Sequence, residues 1–343
     1  MPFYRCMIPN TGGGSGGGDD YIYYMDNGEK IYPKVRSYIF NNIENFNNPV
    51  NFGNNIGDLT FAFCECNMYN QPTVIPSSVI KCNYAFDNCK NFNSPVTMYN
   101  GVQHMYAMFN GCSNFNQPLT IFPTVQSIDG LLNGCFNFNS KITMQSNLIN
   151  SMKNLFIDCH NYNQFMVMPN TIRDLEAAFQ GCYEFNQPVK LRYDVAVSNR
   201  FFTAYNAFRS CNNLSAPIMI DIDSSMNVNS NVNLAFMFAN SNNISTIIFN
   251  GLYGKTKINT QCMLGKRPSY YDGIPRLNIY TDNLNAFMDV TNSYSIVNNT
   301  ITWTAITNGY GSAYYNIYIY SNVQDGMNWF NNIYNQYIEE ENT

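Results

Sequence analysis

The chain has 343 residues, 45% of them hydrophobic and only 12% charged, with a formal net charge of −5. The charged share is about half the usual one, and Asn, Tyr and Phe take up the difference. Such a chain can bury a sizeable core. It has no basic concentration to track a phosphate backbone and no apolar run near the roughly 20 residues of a membrane span, so nucleic acid and membrane are set aside as partners.

Met1–Pro9 lacks the apolar h-region of a Sec signal peptide, which predicts export, if any, by another route such as cell lysis. Residues 11–18 read Thr-Gly-Gly-Gly-Ser-Gly-Gly-Gly, a flexible tether, natural or inserted. Residues 1–20 are therefore an anchor peptide with its linker. The head carries Phe3, Tyr4, Arg5 and Cys6 in a span too short to bury apolar groups against itself. These four residues are the candidate assembly anchor. Tyr21–Met25 has strand character.

A phrase Ala-Phe-x-x-Cys then recurs. Its cysteines fall at Cys66, Cys89, Cys112, Cys135, Cys159, Cys182 and Cys211, in steps of 23, 23, 23, 24, 23 and 29 residues. Ile43 and Ser241 hold the equivalent places on either side, making nine rungs within residues 21–250. Three residues before the Cys lies an aromatic residue or Leu132, and three after it another aromatic, Leu or Ile. Pro follows in most rungs, then a short alternating segment such as Val96/Met98 or Leu119/Ile121. That segment predicts a strand with two inward residues, started by a Pro that needs no ladder partner there. The expected fold is a repeat solenoid, with a short strand and a helical turn or irregular arc per rung. The apolar pairs of neighbouring rungs stack into one core. The longer steps place insertions between Leu191 and Tyr205 and around Asp221–Asn231, as loops on one face.

The beat is lost from about Gly251. Residues 251–343 read as a β-rich cap or a small separate domain. Leu277–Tyr280 is one strand-like run. Thr300–Ile306 and Ala313–Tyr320 flank an Asn308-Gly309-Tyr310-Gly311 turn and predict a hairpin. Met327–Ile338 predicts a short amphipathic helix.

Ala85-Phe86-Asp87-Asn88-Cys89, Ala178-Phe179-Gln180-Gly181-Cys182 and Val74-Ile75-Pro76 with Val79 resemble the 23-residue unit of BspA-like (Treponema-type) leucine-rich repeats. The Phe-Asn-Gln-Pro phrase at Phe115–Pro118 and Phe185–Pro188 resembles a related repeat of surface proteins in low-GC bacteria. The resemblance covers about 200 residues and departs where rungs lose Pro or Ile. It implies an adhesin or interaction protein, without fixing the ligand. The head, Met1-Pro2-Phe3-Tyr4-Arg5-Cys6 before a glycine run, resembles the start of virion and tail proteins of phages of low-GC hosts.

Chemistry is sparse. The seven repeat cysteines predict a structural ladder of small buried groups, not disulfides. The spacing of Cys64, Cys66, Cys82 and Cys89 is not that of a zinc site, so no metal or cofactor is expected. His104 and His160 lie at unrelated repeat positions and pair with no nucleophile. Asp221 and Asp223 belong to an insertion with no second carboxylate cluster across a cleft. No catalytic residue is assigned.

The outward residues of the strands are the better candidate for a site. The row reads Asn51, Val74, Thr97, Thr120, Thr143, Val167, Lys190 and Met219, followed two residues on by Tyr99, Phe122, Gln145 and Arg192. Thr97, Tyr99, Thr120, Phe122, Thr143, Gln145, Lys190 and Arg192 combine aromatics, hydroxyls and amides suited to sugars or a protein partner. The plain alternative is a solvated sheet face. The expected function is a non-enzymatic phage virion component (tail, fibre or head decoration), joined to other virion proteins through its N-terminus in an oligomeric assembly. The alternative is a bacterial surface or secreted adhesin binding host protein or glycan.

Overall fold

The structure is a computed structural model that describes residues 23–24, 30–31, 39–53, 56–193, 201–222, 231–252, 257–259, 263–264, 276–283, 294–297, 300–303, 306–307, 312–313 and 316–341. The expected anchor, Phe3 to Cys6, and the glycine tether lie outside these residues. The strand expected at Tyr21–Met25 corresponds to β1 (Tyr23–Tyr24), paired antiparallel with β2 (Lys30–Ile31).

From Phe40 onward, successive repeats stack on one another. Their strands are short: β3 (Thr73–Val74), β4 (Val96–Thr97), β5 (Leu119–Ile121) and β6 (Ile142–Met144). They pair in parallel with the equivalent residue of the next repeat, as in Thr73↔Val96 and Leu119↔Ile142. Mostly parallel pairing of this kind is consistent with a leucine-rich-repeat-like fold.

The arc holding the Cys is a run of turns, which corrects the expected helical turn in favour of the irregular arc. In the rung of Cys66, Ala62 donates to Leu59 O, Cys66 to Phe63 O and Tyr69 to Cys66 O, each three residues back, at 3.0, 2.9 and 2.9 Å. Alternate N–H groups of the arc leave the rung. Phe61, Phe63 and Glu65 donate to the carbonyls of Asn83, Ala85 and Asp87 at 2.9, 2.7 and 2.8 Å. An α-helix would direct its N–H groups to carbonyls four residues back, so handing alternate donors to the neighbour forbids it. Residues three apart eclipse in such tight turns, which is why the aromatic, the Cys and the second aromatic share one buried side.

Two residues per rung have left-handed backbone, five and one before the Cys. Examples are Tyr84 (φ 54°) with Asn88 (58°), Gly130 (65°) with Gly134 (73°), and Asn154 (58°) with Asp158 (57°). L-residues avoid this region, and Gly, Asn and Asp tolerate it best. The position before the Cys holds Asn42, Asn88, Gly111, Gly134, Asp158, Gly181 and Asn240 in seven rungs, and Glu65 and Ser210 in the other two.

The cysteines form the expected ladder and do more than fill space. All seven are buried and free. Each thiol donates to the carbonyl at the Phe position of the previous rung: Cys89 Sγ to Phe63 O at 3.0 Å, Cys112 to Phe86 O at 2.9 Å, Cys135 to Phe109 O at 3.0 Å and Cys211 to Phe179 O at 3.1 Å, with Leu132 O taking the place of an aromatic for Cys159 at 3.1 Å. Ser241 makes the same bond, to Phe208 O. Beside this ladder run two columns of stacked rings. One holds Phe63, Phe86 and Phe109 at 5.1 and 5.3 Å, and the other Tyr69, Phe92, Phe115, Phe138, Tyr162 and Phe185 at 5.8–6.0 Å. Such ring pairs add stability beyond their buried area.

At the two insertions the rungs widen. Strands β7 (Val189–Tyr193), β8 (Phe201–Thr203), β9 (Ile218–Ile222), β10 (Asn231–Asn233), β11 (Thr246–Asn250) and β12 (Lys257–Asn259) form two parallel sheets, β7-β9-β11 and β8-β10-β12. The first sheet continues past the repeats. It adds β13 (Arg276–Thr281) beside β11 in parallel, and its far edge is antiparallel: β14 (Tyr294–Val297), β15 (Thr300–Trp303) and β18 (Asn316–Tyr320). The expected hairpin is present. Trp303 faces Ile317, and β16 (Ile306–Thr307) pairs with β17 (Ser312–Ala313) nearer the turn. The helix expected at Met327–Ile338 is α1 (Val323–Glu341), the one α-helix among the described residues.

The ladder predicts a graded response at Cys112. Cys112→Ser keeps the donor and should melt close to wild type by circular dichroism. Cys112→Ala loses one weak bond and should cost about 1 kcal/mol. Cys112→Asp buries an unpaired charge and should cost several kcal/mol or prevent folding. An Asp variant that melts with the Ala variant would refute the ladder.

Candidate binding face

Strand alternation turns Thr97, Thr120 and Thr143 away from the core-facing residues beside them, and residues 99, 122 and 145 follow just past the ends of β4, β5 and β6. Thr97, Thr143 and Gln145 are exposed and Thr120 is half-buried. Tyr99 is 47% exposed, while Phe122 is half-buried and packed against the core. The register Thr120↔Thr143 sets two hydroxyls side by side. Val74 and Val167 border this group at 50% and 51% exposure.

The face changes character at the next rung. α1 lies across the outward positions of the long strands. Its Phe330 and Tyr334 are buried with Phe165, Met219 and Ile248, and Tyr337 and Ile338 pack on the same cluster. Gly326 lets the helix lie against Tyr280, since a Cβ there would stand 2.5 Å from its ring. Lys190 belongs to this contact. Its Nζ donates to Asn331 Oδ1 at 2.9 Å and lies 5.8 Å from the centre of the Tyr334 ring. The structure thus brings six of the eight expected residues onto open rungs and places Lys190 under the helix. Arg192, exposed and paired in register with Asp221, lies on the long strand beside it.

The remaining titratable groups have structural surroundings. His160 is stacked between Phe136 and Tyr183 at 4.9 and 4.5 Å, and His104 occupies a ladder of single bridges between Lys81 and Ser127. Asp221 accepts a bond from Asn250 Nδ2 at 2.7 Å, and Asp223 lies outside the described residues. Cys64 Sγ donates to Asp87 Oδ2 at 3.5 Å and Cys66 Sγ to Phe40 O at 3.0 Å. Among the described residues no three His, Cys, Asp or Glu side chains group as a metal site.

Two features escaped the sequence. One is an amide ladder on the exposed edge: Asn93 N donates to Asn70 Oδ1, Asn116 N to Asn93 Oδ1 and Asn139 N to Asn116 Oδ1, each at 2.8 Å. Its signal was the Asn of the Phe-Asn-Gln-Pro phrase, repeated four residues after every ladder Cys but Cys211, where Ser215 stands. The other is the cover α1 puts on the face, signalled by apolar Met219 in an outward row.

Parallel strands with a continuous buried ladder and one open outward face define a tandem-repeat protein of leucine-rich-repeat-like build. The chain belongs to the family described as "Mycoplasma protein of unknown function, DUF285", whose profile matches residues 34–145, 58–168 and 127–250. No curated protein matches it. Among solved structures it is similar to a leucine rich cell surface protein from Faecalibacterium prausnitzii A2-165, at 13% identity over 79% of this chain and 89% of that one, with a TM-score of 0.35.

Burial pushes the Cys66 thiol up to about 12 and those of Cys89, Cys112, Cys135, Cys159 and Cys182 well above the ordinary range. The thiols are therefore neutral and poor nucleophiles. Because the folded values lie above the unfolded value of about 8.5, the stability linked to these groups is complete below that pH and is lost as the pH rises towards the folded values. The melting temperature should be level from about pH 6 to 8 and fall above about pH 9, with ladder thiols reacting slowly with a thiol reagent until the chain is denatured. Fast native labelling of most ladder cysteines, or rising stability at alkaline pH, would contradict this.

Proposed function

We propose that the protein is a non-enzymatic adhesin-type binding protein displayed at a bacterial surface. A solenoid of residues 21–250 presents the open strand face, and residues 251–343 complete the sheet and supply the helix that closes its other half. The observation that carries this reading is the contrast along one row of outward positions. Met219 and Ile248 are buried under α1, while Val74, Tyr99 and Val167 stand about half exposed. Exposed apolar groups gathered on one face mark interaction sites. The charge-poor composition and the resemblance of the repeats to BspA-like units support the same reading. The virion placement rests on residues 1–20, which lie outside the described residues, and is not carried forward.

Antibody labelling of intact cells that express the protein, with protease shaving as a second readout, tests the location; the expected result is labelling without lysis. Purified protein should bind target cells, and Thr120→Arg should lower that binding at least tenfold while leaving the melting curve intact. Labelling only after lysis, or binding indifferent to Thr120→Arg, would overturn the proposal.

A further inference from the structure

The open face has a chemistry narrow enough to name what it takes, provided that it is the binding surface proposed above. We infer that its ligand is an uncharged, hydroxyl-rich polysaccharide lying across the strands. From Val74 to Val167 neither outward row contains a charged residue. A polyanion brought here would lose hydration and meet no counter-charge within these rows; Lys141 stands beside them, two residues before Thr143, and Lys190 is engaged with Asn331.

The positive features fit a sugar chain. Thr97, Thr120 and Thr143 place one hydroxyl per rung, and Thr120 and Thr143 are paired in register at the roughly 4.8 Å separation of neighbouring strands. A hydroxyl both donates and accepts, as do the hydroxyls of a pyranose. Beside them, Tyr99 offers an aromatic ring held by no ring contact or hydrogen bond among the described residues, and Phe122 is fixed by the core beneath it. Gln145 ends the row with an exposed amide. Apolar ring surface flanked by a few convergent polar groups is how small-molecule and sugar sites obtain orientation as well as affinity.

A second copy of this chain fits less well. Two such sheets packed face to face would bury the threonine hydroxyls and the Gln145 amide in an interface whose inner faces are normally apolar, leaving polar groups without partners. A protein partner with its own polar surface is the other competitor, and the experiment separates it.

The full chain is tested for retention on insoluble cellulose, chitin and a β-1,3-glucan, with heparin resin as the polyanion control. Tyr99→Ala and Thr120→Arg alter the face, and Tyr183→Ala is an off-face control. The expected result is saturable retention on at least one neutral polysaccharide, weakened tenfold or more by each face variant and unchanged by Tyr183→Ala. Retention on none of the three, retention insensitive to the face variants, or retention on heparin alone would overturn the inference. So would a stable dimer in sedimentation that Thr120→Arg dissolves. If cell binding still depends on Thr120 while all three polysaccharides fail, the sugar assignment falls and the binding-face reading stands with a protein partner.

Discussion

Backbone donors in each arc point along the stack, and their acceptors are the carbonyls of the next rung. That hand-over, seen at Phe61, Phe63 and Glu65 and repeated at Tyr84, Phe86 and Asn88, constrains nearly everything else. It requires nearly the same length of chain in each circuit, so the step stays at 23 or 24 residues until the strands lengthen. It requires two left-handed residues per rung to aim the donors outward. It also brings the Cys thiol within reach of a carbonyl one rung away. That carbonyl already accepts its own rung's Cys N–H, so one oxygen ties two rungs together.

Much of this could be read from the residues. The Cys spacing fixes the rungs, the Pro and alternating pairs locate the strands, and the Asn-Gly turn locates the hairpin, because each signal is local. The helical turn was misjudged because Phe-x-x-Cys-x-x-Phe has the three-residue spacing of a helical face as well as of a chain of tight turns. Only the destination of the intervening N–H groups separates them, and that is set by the neighbouring rung. The thiol bond was equally hidden. Cysteine in an apolar row reads as a small hydrophobe, and its donor role emerges from the one place where Ser241 replaces it and keeps the bond.

The site was half legible for a similar reason. Outward positions follow from alternation, so Thr97, Thr120 and Thr143 were placed correctly by counting. What lies over an outward position is decided by a segment far away in sequence. Lys190 is 141 residues from Asn331, its partner on α1, and nothing near Lys190 announces the contact. The helix covers the outward side of the long strands and leaves the short strands before them open.

The direction of the ladder bonds also bears on how such a molecule carries load. A force applied along the stack is shared by all the bonds of one rung interface, whereas the interfaces themselves lie in series. Yielding therefore proceeds one interface at a time, and each 23-residue repeat that peels away releases about 80 Å of extended chain. A stack built this way lengthens in steps, dissipating work while the remaining rungs stay folded.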